Sequence, residues 1–310
     1  MNRRNFLRNS SLLTVGNSLL PTIGSTNNED RKTALTVAFI SDIHVKPMEV
    51  AETGMRKALR HVNALSQKPD FIINGGDSIM DALAADKAKT GEQWNVWNRI
   101  FNAENRLPVH HVIGNHDIWG WQLTDESIKS DPLYEKGWVL KQHGMPGRYY
   151  AFEAKGWKFI VLDSVQQNGG GYIARFDEEQ VAWLESELKN TPSDQHICIV
   201  SHIPIVWFCA AMFFDDQLPN GDWKLIWALL HVDARRITQL FTAYKNIRCC
   251  LSGHIHLQDM VEYKNVHYYC NGAISGNWWS GAFKGFEPAY ALFGFGKDGS
   301  LSRQMIPYGV

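Results

Sequence analysis

The sequence predicts an α/β fold, and two observations on the 310-residue chain lead to it. Short apolar runs alternate with longer segments of helical periodicity, which is the pattern of a sheet whose strands are joined by helices. Hydrophobic residues make up 45% of the chain and charged residues 20%, a balance that fits a globular protein with a sizeable core. The chain contains no internal repeat and no linker rich in Pro, Gly or Ser, so residues 31–310 are predicted to form one domain.

The first half of that domain contains three predicted strands, each followed by polar residues. The strands are the short apolar runs at residues 34–40, 71–73 and 109–113. Between them, apolar residues recur at helical spacing and predict helices at residues 50–66 and 90–105.

The second half repeats this alternation and is expected to end in strands and turns. Its predicted strands are residues 149–153, 158–162, 197–200 and 247–251, and its predicted helices are residues 177–189 and 233–244. The apolar run at residues 203–214 is too short to span a bilayer as a helix. We expect it to be a buried segment over one sheet face or, alternatively, a wall of the substrate cleft or a lipid-facing patch.

The first thirty residues have the composition of an export signal. A basic start that includes Arg3 and Arg4 precedes a mildly apolar stretch, residues 11–23, and a polar exit. The order Arg-Arg-x-Phe-Leu-Arg resembles a twin-arginine signal, which a receptor reads and which is not an anchor. Residues 1–30 therefore predict a periplasmic or secreted protein without a membrane span; the alternative is a basic tail without a targeting role.

Charge and cysteine content limit the partners and the cross-links of the chain. The net charge of −1 lacks the basic excess of duplex-DNA binders, so no stable nucleic-acid partner is expected. The five cysteines stand at irregular spacing, mostly in apolar runs, and we predict small buried side chains and no disulfide framework. No oligomeric state is predicted.

Five of the predicted strands end in residues that can bind metal ions. In open α/β sheets, sites form beyond the carboxyl ends of the strands, so these residues are expected to meet. The clusters contain Asp42 and His44; Asp77; Asn115, His116 and Asp117; His202; and His254 and His256. Carboxylate, carboxamide and imidazole ligands suit zinc, manganese or iron, and seven ligands are enough for two ions that share a carboxylate. Glycines before Asp77, Asn115 and His254 are expected to supply unusual backbone angles.

In this order, the five clusters resemble those of the calcineurin-like metallophosphoesterases, over about residues 36–279. The resemblance implies a four-layer αββα sandwich of two mixed β-sheets flanked by helices. It implies that the first ion is bound by Asp42, His44 and His256, and the second by Asn115, His202 and His254. It also implies that Asp77 bridges both ions and that His116 is the proton donor.

Two neighbouring positions depart from some members of this family. In some relatives a carboxylate three residues after the bridging aspartate orients the catalytic histidine, but that position here is Met80. Asp81 and Asp117 are the alternative candidates for this role. Met80 and His44 also separate the chain from the purple acid phosphatases, which have a tyrosine and lack the histidine at these positions. In these motifs the chain more closely resembles the bacterial cyclic-nucleotide phosphodiesterase-like members.

The expected reaction is hydrolysis of a small phosphate ester by a metal-bridging hydroxide. Asn115 and the cations would stabilise charge on the phosphate, and His116 would protonate the leaving group. A phosphodiester is slightly preferred as substrate; the alternatives are a phosphomonoesterase or a non-catalytic metal-binding scaffold of the same fold. Trp278 and Trp279 follow a predicted strand, and their rings could stack on a base or sugar, with core packing as the alternative for one of the two. Trp278 is the predicted substrate contact, together with Asn115.

Overall fold

The computed structural model describes residues 33–213, 218–225 and 227–309, so the predicted export signal lies outside the described residues. Among these residues, thirteen strands are present: β1 (Thr33–Ile40), β2 (Phe71–Asn74), β3 (Val109–His111), β4 (Tyr150–Ala154), β5 (Trp157–Leu162), β6 (Val165–Asn168), β7 (Gly171–Ala174), β8 (His196–Ser201), β9 (Ile247–Ser252), β10 (Gln258–Tyr263), β11 (Val266–Asn271), β12 (Ala289–Gly296) and β13 (Leu301–Pro307). The α-helices are α1 (Glu49–Asn63), α2 (Lys87–Glu104), α3 (Gly137–His143), α4 (Glu178–Asn190), α5 (Cys209–Phe213) and α6 (Ala234–Phe241). None of the described helices is long and apolar enough to cross a bilayer.

Eleven of these strands form two large mixed sheets. The first has the order β13-β12-β1-β2-β3, in which β1, β2 and β3 are parallel and β12 is antiparallel to both of its neighbours. The second has the order β10-β11-β9-β8-β5-β4, with parallel pairing from β11 to β5 and antiparallel strands at both edges. A separate hairpin contains β6 and β7.

Alternating side chains place the sheets face to face with helices outside. On β1, Val37 and Phe39 pack between the two sheets, whereas Ala38 and Ile40 pack with the buried faces of α1 and α2. The outer face of the second sheet packs in the same way against α4 and α6. This period of two follows from the pleat of a strand. The predicted architecture, two mixed sheets flanked by helices, is confirmed.

Local sequence signals explain where two of these helices begin. Asp86 accepts a hydrogen bond from the backbone N–H of Lys89, so α2 begins three residues before the predicted start. Asp177 caps α4 in the same way through Gln180, so α4 begins one residue after the predicted start.

The cysteines lie in the predicted environment, whereas the apolar run after β8 does so only in part. All five cysteines are buried and free, as predicted. In the apolar run, Ile203 and Ile205 are buried, but Phe208 is 63% and Met212 56% exposed. The buried-segment interpretation therefore describes only part of the run, because Cys209 and Ala210 of α5 are buried whereas Phe208 and Met212 face solvent.

Candidate metal centre

The ends of five parallel strands from two sheets bring the predicted ligands together. Strands β1, β2 and β3 of the first sheet lead to Asp42 and His44, to Asp77, and to Asn115. Strands β8 and β9 of the second sheet lead to the three remaining histidines. Because each set of strands is parallel, all of these ends lie at one edge of their sheet.

The first group of possible ligands consists of Asp42, His44 and His256. The Nε2 atoms of His44 and His256 are 3.0 Å apart. Asp42 Oδ1 lies 3.5 Å from His256 Nε2 and 4.0 Å from His44 Nε2. All three side chains are buried, and such a set of one carboxylate and two imidazoles can hold a divalent ion.

The second group consists of Asp77, His202 and His254, with Asn115 beside it. Nε2 of His202 lies 3.2 Å from Asp77 Oδ2, 3.1 Å from Asn115 Oδ1 and 3.2 Å from His254 Nδ1. Asp77 also faces the first group, because its Oδ2 is 3.7 Å from His44 Nε2. One buried carboxylate therefore lies between two sets of ligand atoms.

Backbone carbonyls fix the orientation of three of the histidine rings. His202 Nδ1 donates to the carbonyl oxygen of Gly75 at 2.8 Å, and His254 Nε2 donates to that of Ala228 at 2.7 Å. His256 Nδ1 donates to the Gly276 carbonyl at 2.6 Å. Outer hydrogen bonds of this kind select the tautomer of metal-binding histidines. The other nitrogen of each ring is then an acceptor that points into the centre.

This arrangement of acceptors fits a pair of divalent cations. The facing nitrogens of His202 and His254 would repel each other unless a positive charge lay near both. The buried carboxylates of Asp42 and Asp77 also need a nearby positive charge, because burial of an unpaired charge is costly. Burial lowers the pKa of His202, but neighbouring Asp77 outweighs this and raises the pKa to about 9. Without a metal ion, His202 therefore holds a proton at the position where the ligand atoms would bind a cation.

Five of the seven predicted ligands have a left-handed backbone conformation. They are Asp42 (φ 54°), His44 (φ 49°), Asp77 (φ 54°), His254 (φ 70°) and His256 (φ 58°). A non-glycine residue in a sparsely populated conformation costs on the order of 1–3 kcal/mol, and such residues cluster at functional sites. The surrounding hydrogen bonds hold these loops, as when the backbone N–H of His254 donates to Asp42 Oδ2 at 2.9 Å.

The prediction for the glycines is correct for one of the three and wrong for the other two. Gly76 has φ 100°, as expected for an unusual backbone angle. Gly114 has φ −91° and Gly253 is outside the left-handed region. They are required for close approach, because a Cβ would lie 2.0 Å from the backbone nitrogen of Asp77 or from Ser41 Oγ respectively.

Neither candidate orienting carboxylate forms a hydrogen bond with His116 Nδ1, which has no partner among the described residues. Asp117 is fully buried and accepts backbone N–H bonds from Asp77 at 2.9 Å, Ser78 at 2.8 Å and Gly114 at 3.0 Å. Burial and the charge of Asp77 raise the pKa of Asp117 to about 7. Asp81 accepts from the backbone N–H of Ala84. Asp117 therefore ties the turn that carries His116 to the turn that carries Asp77.

His116 lies beside both ligand groups. Its backbone N–H donates to Asp77 Oδ1 at 2.8 Å, and its ring meets the ring of His44 edge-on at a centroid distance of 4.8 Å. The residue is half-buried, and its Nδ1 is buried without a hydrogen-bond partner among the described residues.

Aromatic rings flank the centre, and the sequence analysis missed one of them. Trp278 is 39% exposed and its ring lies 4.4 Å from that of His256, whereas Trp279 is 6% exposed and belongs to the core. Tyr172, on the β6–β7 hairpin, packs edge-on against His254 at 6.0 Å. Burial and the charge of Asp77 raise the pKa of Tyr172. The Gly-Gly turn at residues 169–170 is a hairpin signal that could have located it.

Comparisons with known proteins agree with this architecture. The profile of the family Calcineurin-like phosphoesterase matches residues 35–258. The chain is 23% identical over 247 residues to a 3′,5′-cyclic-nucleotide phosphodiesterase of Nostoc sp. (strain PCC 7120). This alignment covers 77% of this chain and 78% of the relative. It is 23% identical over 229 residues to a probable glycerophosphodiester phosphodiesterase of Arcobacter nitrofigilis, and this alignment covers 72% of both chains.

A solved structure shares the fold. A dimetal phosphatase from Danio rerio superposes with a TM-score of 0.59 at 14% identity, over 89% of this chain and 100% of that chain. The family match at residues 35–258 includes every ligand position from Asp42 to His256. The chain therefore belongs to the calcineurin-like phosphoesterase family and is a metal-dependent phosphoesterase.

Proposed function

We propose that the chain hydrolyses phosphodiesters at this centre with two divalent cations. The observation that carries the proposal is the position of Asp77 between two buried sets of ligand atoms. Asp42, His44 and His256 would hold one cation, and Asn115, His202 and His254 the other, with Asp77 shared. When bound, such a pair supplies a nucleophile from water near neutral pH and neutralises charge on the phosphate.

His116 is the group proposed to protonate the leaving oxygen. It belongs to neither proposed ligand set, yet its backbone hydrogen bond to Asp77 fixes it beside both. An imidazole in this position can hold a proton and deliver it to the departing alkoxide, which typically accelerates a reaction about 10²–10⁴-fold. Asn115 directs Oδ1 towards His202, which leaves its amide N–H groups to orient a phosphate oxygen.

The charge of the centre favours a diester over a monoester. A phosphate monoester carries a charge of about −1.5 to −2 near pH 7, whereas a diester carries one negative charge. In the described part of the chain, the ion pairs of Asp42 and Asp77 involve histidines and no lysine or arginine. The second charge of a monoester would therefore meet no lysine or arginine among the partners of these two carboxylates. Two relatives named as phosphodiesterases support the same preference.

A substrate panel with purified protein tests the proposal. Chromogenic diesters, the matching monoesters, cyclic nucleotides and glycerophosphodiesters would be compared with manganese, zinc or iron, and the bound metal would be measured in the same samples. We expect hydrolysis that requires metal and a larger kcat/KM for diesters than for monoesters. A larger value for monoesters would contradict the diester preference. Two bound ions without hydrolysis of any compound would indicate a non-catalytic scaffold.

We also infer that the N-terminal residues act as an export signal, because Arg3 and Arg4 begin the twin-arginine-like pattern described above. Replacing both with lysine in the full chain is expected to retain the protein in the cytoplasm, measured by cell fractionation. Unchanged export of this variant would exclude the twin-arginine route.

A further inference from the structure

The centre lies between two aromatic side chains that approach different ligand groups. Trp278 contacts the first group: its ring is tilted by 34° over His256 at 4.4 Å and lies 5.9 Å from His44. Tyr172 contacts the second group through His254. A phosphate bound between the groups would direct its ester substituents outward, and a substituent on the side of the first group would meet the ring of Trp278.

The backbone at Trp278 is strained, and core packing does not explain the strain. Trp278 and Trp279 are consecutive residues with φ 46° and 72°. Trp279 is buried, and its indole N–H donates to the carbonyl oxygen of His44 at 3.1 Å. Trp278 gains no comparable burial, since 39% of its surface is exposed. Strained residues that do not serve the core are characteristic of ligand-binding positions.

A neighbouring ring restricts the orientation of Trp278. Phe283 packs edge-on against it, with a centroid distance of 5.5 Å and an interplanar angle of 79°. Phe283 also contacts His256 at 5.8 Å. The indole is therefore held between Phe283 and the first ligand group before any substrate binds, which reduces the entropy lost when a flat group stacks on it.

We propose that Trp278 is a specificity-determining residue that stacks on a planar aromatic or heterocyclic group of the substrate, attached close to the phosphorus. This inference rests on the proposed function and names the class of ester that the centre prefers. Stacking of one base on an aromatic side chain typically changes affinity about 5- to 150-fold. Substrates whose substituents are small alkyl groups would lack this contact and bind through the phosphate alone.

Binding of two non-hydrolysable ligands to the metal-loaded full chain tests the stacking without turnover. Phenylphosphonate and methylphosphonate differ only in the ring, and calorimetry gives the affinity of each. We expect the wild type to bind phenylphosphonate about 5- to 150-fold more tightly. Trp278→Ala should abolish this preference, measured as the ratio of the two affinities within the variant, while Trp278→Phe should keep part of it.

A matched control is an exposed aromatic residue outside the centre. Tyr263 is 43% exposed at the far end of β10, about 17 Å along the strand from the end nearest the ligands. Tyr263→Ala should change neither affinity. Equal affinities of the wild type for the two phosphonates, an unchanged preference in Trp278→Ala or a failure of both phosphonates to bind would overturn the inference.

A second measurement separates the inference from the proposed function. Hydrolysis of bis(4-nitrophenyl) phosphate by the wild-type sample reports whether the centre is catalytic. Hydrolysis without a ring preference would refute the role of Trp278 alone. A ring preference that depends on Trp278, without hydrolysis of any diester, would support the stacking role of Trp278 and refute the proposed phosphodiesterase activity.

Discussion

Nδ1 of His254 lies 3.2 Å from Nε2 of His202, although the other nitrogen of each ring donates to a backbone carbonyl. Two neutral imidazoles oriented in this way face each other with lone pairs. In the metal-free folded state a proton on His202 relieves this repulsion, since Asp77 raises the pKa of His202 to about 9 against the effect of burial, and a divalent cation would take the place of that proton. Because the unfolded chain does not hold the rings together, the cation would bind the folded state preferentially and stabilise it.

Removal of metal is expected to destabilise the protein measurably. A ligand present at about 100 times its Kd stabilises the folded state by about 2.7 kcal/mol. For a domain of this size, that corresponds to a fall in Tm on the order of 5 °C after treatment with a chelator. Scanning calorimetry of treated and untreated protein would measure it, and added manganese or zinc should restore the original Tm. An unchanged Tm in protein shown to have lost metal would argue against the centre.

Asp77→Asn should reduce the binding of both ions, because one carboxylate faces both ligand groups. Changes to residues that only support a metal ligand cost about 10–100-fold in affinity, and loss of the shared ligand should exceed this. Elemental analysis would give the number of ions per chain. The matched control is Asp86→Asn, since asparagine can also cap α2. Two tightly bound ions in Asp77→Asn would show that Asp77 is not shared.

His116→Ala should lower kcat without removing metal. We expect a loss of about 10²–10⁴-fold for a diester with an alkyl alcohol as leaving group, because the alkoxide must be protonated as it departs. The loss should be much smaller for a diester that releases an acidic phenol, which departs without a proton. Equal losses for the two leaving groups, at unchanged metal content, would contradict a role in proton donation.

Asp117→Asn should destabilise the fold and weaken metal binding together. Each oxygen of Asp117 accepts from two backbone N–H groups, and the NH2 group that replaces one oxygen in asparagine cannot accept its pair. Each buried donor without a partner costs about 1–3 kcal/mol, so we expect Tm to fall by roughly 3–10 °C. Asp125→Asn is the control, because Asp125 is exposed and accepts from Ser127 alone. A Tm within about 1 °C of the wild type would refute the role of Asp117.

The ends of the strands could be predicted from the sequence, whereas most contacts of the residues at those ends could not. Asp42 and Asp77 come shortly after apolar runs, and a charged residue after such a run marks the place where the chain leaves the core. Three partners of Asp117 were not predictable, because they are backbone groups 38 to 40 residues away that only the folded turns bring close. The positive φ of the ligands themselves was missed because glycine is the usual signal for that conformation.

Trp279, whose indole N–H donates to the His44 carbonyl oxygen, is held by a packing contact with Gly54 that the sequence pattern does not predict. Gly54 lies on the buried face of α1, and a Cβ at this position would lie 2.0 Å from the Trp279 ring. The ring thus packs directly on the helix backbone while its indole N–H donates to the His44 carbonyl oxygen. A larger residue at position 54 must displace the ring, the helix or both.

Gly54→Ala is therefore expected to destabilise the protein, against the usual effect of alanine in a helix. Alanine normally favours a helix interior over glycine by about 0.5–1 kcal/mol, but overpacking a filled core costs about 1–3 kcal/mol. Gly91→Ala in α2 is the matched control, since its nearest neighbour, the Trp138 ring, is at an ordinary contact distance of 3.7 Å. Denaturant unfolding should show a loss of about 1–2 kcal/mol for Gly54→Ala and a small gain for Gly91→Ala. Equal gains in both variants would mean that Trp279 moves aside without cost, and that its contact with α1 does not position His44.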